Sequence, residues 1–526
     1  VASPINFSGA ASGLDTQLII DALLGLKQQR VDRLNKKLGG IGQQRNAIND
    51  LKSVLTTLKD KAAAVESGIF GKRQTTVSDT DVLGATAGAG AQLGQYAVKV
   101  SQLARQGAAT VGGTVTSASE VLGAGTLTIQ NQGGETFSVT LTDPGSTLAD
   151  LRQAITDQHG DSLNANIIET TPGAFQLAIT TRSAGSDENI LGSSGFTGFS
   201  SSPAFSASGV SNTQTALDAK LVVDGISITR TTNSISDVIS GVTLNLKQES
   251  ASATQVSVSA SNDEVVKGLQ EFADAYNAAL SKINELSAIG GTFSADSSFR
   301  ALKSELQSTV TRLVPNIGAI NLRDGGEVGF TSLAQVGFKT DSKTGQVSID
   351  STVLKEALTD HFAEVENLFK GGSTSSNANV SLLTRPATPF SGSISLDSVS
   401  DTATIDGQVY NLTRQGNVLS FAAESPYAGM SFQADTAVSG VSLELSAGLG
   451  DLLSDRLGFY TSFDGVLSDR TSSLSDQEKR LNSDIDRAVD RIDSERTRLT
   501  RIFAAAEQAI ADLQGLQSSL GLPTGR

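Results

Sequence analysis

Residues 474–520 read LSDQEKRLNSDIDRAVDRIDSERTRLTRIFAAAEQAIADLQGLQSSL, with apolar side chains at heptad spacing. Leu474, Leu481, Ala488, Glu495, Ile502, Ala509 and Leu516 form one series, and Ile485, Ile492, Leu499, Ala506, Leu513 and Leu520 the other. Such spacing keeps one stripe of a helix against a partner helix along its length. Only Glu495 in the two series is charged. At about 1.5 Å per residue, 470–520 makes a helix about 75 Å long. Its other faces alternate in sign through Arg487, Asp490, Arg491, Asp493, Glu495 and Arg496, the usual surface of a solvated or bundled helix.

The opposite end of the chain repeats the pattern. Leu34, Ile41, Ile48, Leu55 and Ala62 fall every seventh residue, and Val31, Leu38, Leu51, Leu58 and Val65 supply the second position, with a phase shift near Arg45. Gly39, Gly40 and Gly42 each cost about 1 kcal/mol relative to Ala in a helix interior. They are expected to mark a bend or hinge between two helical pieces. The seams suit an antiparallel pair closing one chain on itself, and equally an assembly between copies; the pattern alone does not choose the partner. Segment 27–61 carries nine Lys/Arg against three Asp/Glu, a solvated face or a stripe for acid-faced helices.

After Gly71 the period changes from seven to two. Tyr96–Val100, Gly125–Ile129 and Phe137–Leu141 alternate as half-buried strands, and Leu148–Asp157 reads as a helix capped by Ser146 or Thr147. Residues 192–215 are Gly/Ser/Thr-rich and are expected to be a loop or link. Strands at 221–223, 226–229, 242–246 and 256–259 follow, with Asp224-Gly225 as a hairpin turn. Helices are expected at 263–286, at 299–314 before Pro315, and at 353–369, with a strand at 346–349. Residues 371–379 read as a linker, and 380–447 as a small β domain with turns at Asp406-Gly407 and Gly416-Asn417. The fold class is α+β multidomain: long N- and C-terminal coiled-coil helices and a helical bundle bracketing inserted β-rich domains.

The 526 residues amount to several domains, with ample core to fold without disulfides or metals. There is no Cys, so thiolate metal sites and cysteine nucleophiles are excluded. The formal charge of −15 argues against sequence-independent nucleic-acid binding. No run approaches the roughly 18 apolar residues of a membrane span, so no membrane insertion is expected. Val1–Ser8 has no basic region followed by an apolar one, so a standard secretory signal is not expected there. His159 and His361 lie far apart and outside any ligand-spaced cluster. Gly88, Gly90 and Gly94 have the wrong spacing for a dinucleotide loop, and Asp341–Gly345 reads as a turn rather than a calcium loop. Asp484 and Asp486 lie on a helix exterior. No catalytic, cofactor or metal site emerges, and the chain reads as structural, not an enzyme.

Other short stretches resemble a family. Ser12-Gly-Leu-Asp-Thr16 with Ile19–Leu24 is similar to the N-terminal signature of the flagellar filament-capping proteins, the hook-associated protein 2 family. The resemblance continues through Ala91–Ala104, Ala216–Ala219, Val223–Gly225, Ile228–Arg230, Asn233 and Ile239–Leu244. It then runs through Phe272, Tyr276-Asn277, Leu333, Gly337, Asp341, Thr344-Gly345, Ile349-Asp350, Leu368-Phe369 and Leu457–Gly465 into the C-terminal heptads. Gly39, Gly40 and Gly42 and the module at 380–447 depart from the pattern.

The resemblance implies a secreted protein exported through the flagellar type III apparatus to the distal tip of the filament. It implies a ring of about five or six copies that retains exported flagellin and promotes its insertion, without nucleotide or metal. Implied partners are further copies of itself, flagellin, the hook–filament junction protein, and a cytoplasmic export chaperone on the C-terminal helix. The division it suggests is 1–71 as the N-terminal coiled-coil leg, 72–111 plus 216–262 as a β-rich domain, and 112–215 as an inserted outer β-rich domain. Residues 263–372 then form a helical-bundle segment, 373–449 an additional small β domain, and 450–526 the C-terminal coiled-coil leg. Leu14, Leu18, Leu23, Leu513, Leu516 and Leu520 are expected to contact filament subunits, with packing inside one chain as the alternative. A tip-located adhesin binding host mucin or glycans through the β domains is the competing function, and a filament-forming flagellin a second.

Overall fold

A computed structural model describes residues 12–191, 194–323 and 325–519. Its helices are α1 (Thr16–Ser67), α2 (Leu148–His159), α3 (Pro203–Ser206), α4 (Asn262–Ser287), α5 (Ser297–Thr311), α6 (Ile317–Ile320), α7 (Ser351–Asp360), α8 (Phe362–Lys370), α9 (Leu449–Thr461) and α10 (Val466–Ser519). The chain divides into two compact units, residues 70–264 and the two flanking stretches 1–69 and 265–526. Long terminal helices bracket β-rich inserts, as the periodicities require.

In the flanking unit, α1 and α10 run antiparallel. Arg45 pairs with Glu478, Lys27 with Glu495 at 3.6 Å, and Arg496 with Asp21 at 2.8 Å, so each step up one helix is a step down the other. Ile48, Leu51, Leu55, Leu58 and Ala62 of α1 are wholly buried, where α9 also packs against it. Nearer the termini the seam consists of Ile20, Leu24, Val31 and Ile492, with Ile485, Ala488, Leu499 and Phe503 beside them. The expected hinge at Gly39, Gly40 and Gly42 is absent. The helical ladder runs through all three, and apart from the adjoining backbone of α1 itself no atom lies within 4 Å of where a Cβ would stand.

Helix α4 buries one face, including Leu269, Phe272, Tyr276 and Ile283. Tyr276 donates to the Gly345 carbonyl at 3.4 Å, and burial pushes its hydroxyl up to about 12. Asn277 donates to the Val347 carbonyl and accepts from the Val347 N–H, both at 2.8 Å. These bonds pin the hairpin of Phe338–Thr340 and Val347–Ile349 to the bundle. The Asp341 carboxylate accepts from the Lys343 and Thr344 N–H groups, the turn expected there. The helix expected at 353–369 is two, broken at His361, where φ is −139° and ψ 44°.

The linker expected at 371–379 needs correction, because Gly371–Ser375 is a strand. It pairs antiparallel with Val441–Ala447 and opens an eight-stranded sheet that closes with Val380–Thr384. Its small side chains hide the strand signal, yet Gly371 and Gly372 are buried, and a Cβ on Gly372 would strike Ile320. The sheet encloses Ile394, Leu419, Phe432, Leu443 and Leu445.

The 70–264 unit holds two cores. One lies between a five-stranded antiparallel sheet (Arg73–Val77, Thr254–Ala260, Gly94–Gln102, Ala219–Val223, Ile226–Arg230) and a three-stranded one (Ser234–Ile239, Val242–Leu246, Leu83–Ala87). Asp224 and Gly225 take φ of 48° and 87°, the left-handed pair that a two-residue hairpin needs. The other core gathers residues of 109–210 around α2, which Thr147 and Asp150 cap reciprocally. The loop expected at 192–215 is partly structured: Gly195–Gly198 and Val210–Gln214 are strands. Phe199 and Phe205 are fully buried, with their ring centroids 5.7 Å apart. Two well-placed aromatics outweigh a polar composition.

Candidate functional site at the end of the terminal helix pair

The Ser12–Thr16 signature begins α1 and ties it to α10. Gly13 takes a φ of +75°, and the Asp15 carboxylate caps α1 by accepting from the Leu18 N–H at 3.0 Å. Ser12 donates its N–H to Glu507 at 3.1 Å and its hydroxyl to the same carboxylate. Glu507 is buried, and its carboxyl oxygens are met by the signature serine. Sequence reasoning missed Glu507; an acidic residue inside Phe503–Ile510, where it is the only charge, was the available signal.

Beyond Leu499 the C-terminal pattern divides. Phe503, Glu507 and Ile510 continue on the side that faces α1, while Ile502, Ala506, Ala509, Leu513 and Leu516 turn to solvent. A helix gains 100° per residue, so a stripe one residue out of step lies a quarter-turn away. Leu513 and Leu516 are each more than half exposed. Leu520 lies outside the described residues.

Leu14, just before α1, and Leu18 and Leu23 on it are likewise more than half exposed, and Leu26, which sequence reasoning did not single out, is 76% exposed. Ile20 and Leu24 take the seam instead. The first three turns of α1 are therefore apolar nearly all round. In water such a helix leaves one face unsatisfied unless something covers it. The structure thus places Leu18, Leu23, Leu513 and Leu516 on open apolar faces of one antiparallel pair, with Leu14 exposed just before it.

Among the described residues no group of three or more His, Cys, Asp or Glu could hold a metal ion, and no helix is long and apolar enough to cross a membrane. His361 is drawn to Glu364 at 3.0 Å, in a cluster with Arg323 and the Phe330 N–H. What the helix end presents is exposed apolar surface: Leu18, Leu23, Leu26, Leu513 and Leu516.

Residues 216–515 match the family model described as the flagellar hook-associated protein 2 C-terminus, and residues 12–107 match its N-terminal counterpart. The chain belongs to the flagellar hook-associated protein 2 family. It is similar to the A-type flagellar hook-associated protein 2 of Pseudomonas aeruginosa, 28% identical over 409 residues, which are 70% of this chain and 81% of that one. Aeromonas caviae flagellar hook-associated protein 2 is 28% identical over 405 residues, with the same coverage. The crystal structure of the flagellar cap protein FliD D1-D2-D3 domains from Escherichia coli shares the fold, with a TM-score of 0.52 at 20% identity, over 82% of this chain and 99% of that one.

Within this family the quoted motifs acquire local reasons. Asn233 clamps Ala104, accepting from its N–H and donating to its carbonyl, both at 2.8 Å. Gly337 takes φ +93°, and a Cβ there would crowd the Asp350 carbonyl. Residues 108–215 fall between the two matched stretches.

Proposed function

We propose that this chain caps the distal tip of the bacterial flagellar filament. Secreted through the flagellar export apparatus, it forms a ring of about five or six copies that retains exported flagellin and promotes its insertion. Residues 1–71 and 450–526 serve as the leg. The 72–111 plus 216–262 and 112–215 domains cover the growing end, and 373–449 is an added module on the bundle of 263–372. The observation that carries this reading is the antiparallel helix pair with open apolar faces, in a chain of the hook-associated protein 2 family. Leu14, Leu18, Leu23, Leu513 and Leu516, with Leu520 beyond them, dock on filament subunits or on the hook–filament junction protein. Before export the same C-terminal face suits a cytoplasmic chaperone.

The test replaces Leu513 and Leu516 by Ser. Both side chains already face solvent, so the thermal unfolding of the variant should match that of the parent chain. Flagellin should then leak into the medium instead of joining filaments. Normal filaments from a folded variant would remove these residues from the docking face.

A further inference from the structure

A second heptad-spaced row runs along α1, away from the seam that meets α10. It consists of Ile19, Leu23, Leu26, Arg30, Arg33 and Lys37, apolar toward the terminus and basic beyond. At 100° per residue it lies about 120° around α1 from Ile20, Leu24 and Val31. Helix α10 carries a row of the same spacing: Asp486, Asp490, Asp493, Thr497, Thr500 and Ala504. This one lies about 120° around α10 from Ile485, Ile492 and Leu499. Because the helices run antiparallel, the two rows emerge on opposite faces of the pair. Apart from the half-buried Ile19 and Ala504, both rows are exposed. The neighbouring charges Lys27, Glu495, Asp21 and Arg496 are engaged across the seam, whereas these three cations and three carboxylates make no ion pair among the described residues.

The two rows also stand at the same height. Lys27 meets Glu495 and Arg45 meets Glu478, which sets Arg33 level with Asp490. Copies related by a closed ring have no rise along the ring axis, so legs that follow the axis meet their neighbours level.

We propose that these rows are the contact between neighbouring copies, α1 of one lying antiparallel to α10 of the next. Arg30 then faces Asp493, Arg33 faces Asp490 and Lys37 faces Asp486. Nearer the terminus Ile19, Leu23 and Leu26 pack over Ala504, Thr500 and Thr497, where the small side chains leave room. The contact is heterologous, with a different face used on each side, as ring closure requires. Its charges set register more than strength and are weakened by salt. This contact takes Leu23 out of the filament-docking set proposed above and gives it to the neighbouring copy, leaving Leu14 and Leu18 for the filament. The inference rests on the ring reading above and assigns its leg-to-leg contact.

The chain has no cysteine, so single cysteines report contacts cleanly. Full-length Arg33→Cys and Asp490→Cys chains, distinguishable by tag, are mixed and gently oxidised, with Asp32→Cys replacing Arg33→Cys as the control from another side of α1. Mass photometry of the parent chain, alone and with filaments, measures ring formation separately. The expected result is a 33–490 disulfide between copies, at least about tenfold above the 32–490 control. The triple change Arg30→Glu, Arg33→Glu and Lys37→Glu should lower the ring fraction about tenfold at low salt. Adding Asp486→Lys, Asp490→Lys and Asp493→Lys to the same chain should restore it. A ring that forms without the preferred disulfide and ignores both reversals overturns this contact and leaves the ring reading standing. Protection of the Arg33→Cys thiol from a maleimide by filaments, with no disulfide between copies, would assign the row to filament subunits and overturn it too. A parent chain that is monomeric under every condition defeats the ring reading itself.

Discussion

Ser12, Asp15 and Glu507 tie the start of α1 into the terminal pair: Asp15 caps the helix, and Ser12 donates to the Glu507 carboxylate. Elsewhere single carboxyls are tuned in opposite directions. Burial, with the Asp451 carboxylate beside it, raises Glu66 above the usual carboxylate range despite Arg385 and Lys370 nearby. The folded protein therefore holds this proton more tightly than the unfolded chain does. That contribution to stability is full below the ordinary carboxylate value and is lost as pH rises through the raised one. Glu66→Gln should raise Tm at pH 7 and change it little at pH 4; equal Tm values at pH 7 would contradict the account. Burial acts on Glu364 in the same sense, but the fork of Arg323 at 2.9 and 3.0 Å and the Phe330 N–H outweigh it and hold this carboxyl low. Its stabilisation is present above the ordinary carboxylate value and is lost as pH falls through the lowered one. Glu364→Gln should cost about 2 kcal/mol at pH 7 by urea unfolding.

Elements differ in what local pattern can say about them. The seams of α1 and α10 were legible because a buried stripe repeats over many turns. The hairpin at Asp224-Gly225 was legible because its backbone requires left-handed residues. The continuity of α1 through Gly39, Gly40 and Gly42 was not, because the seam packing around Val31, Ile41 and Ile48 outweighs the local cost of three glycines. Gly40→Ala should accordingly stabilise the chain by about 1 kcal/mol, measured by chemical denaturation; a loss of stability would restore the hinge. Strand 371–375 was hidden because its burial depends on a backbone crossing that composition does not reveal. A Cβ on Gly448 would collide with the Phe369 carbonyl and the Gly371 nitrogen. Gly448→Ala should therefore destabilise the chain by about 3 kcal/mol. The exposed apolar faces were half legible. A heptad names the residues on a stripe but not the helix that covers it, so Ile20 and Leu24 entered the seam unannounced while Leu513 and Leu516 left it.

At the scale of the whole molecule, the chain divides into two compact units. Two sheet-built cores fill residues 70–264, and an eight-stranded sheet is set into the helical unit. The terminal pair, closed by its seam and open at its end, carries the account's central claim, that this chain caps flagellar filaments. The most direct measurement expresses it, with flagellin from the same source, in a bacterium deleted for its own capping protein, and compares flagellin shed into the medium with flagellin in filaments. The account predicts that the chain moves flagellin from medium to filament. An exported, folded chain that leaves flagellin in the medium would contradict it.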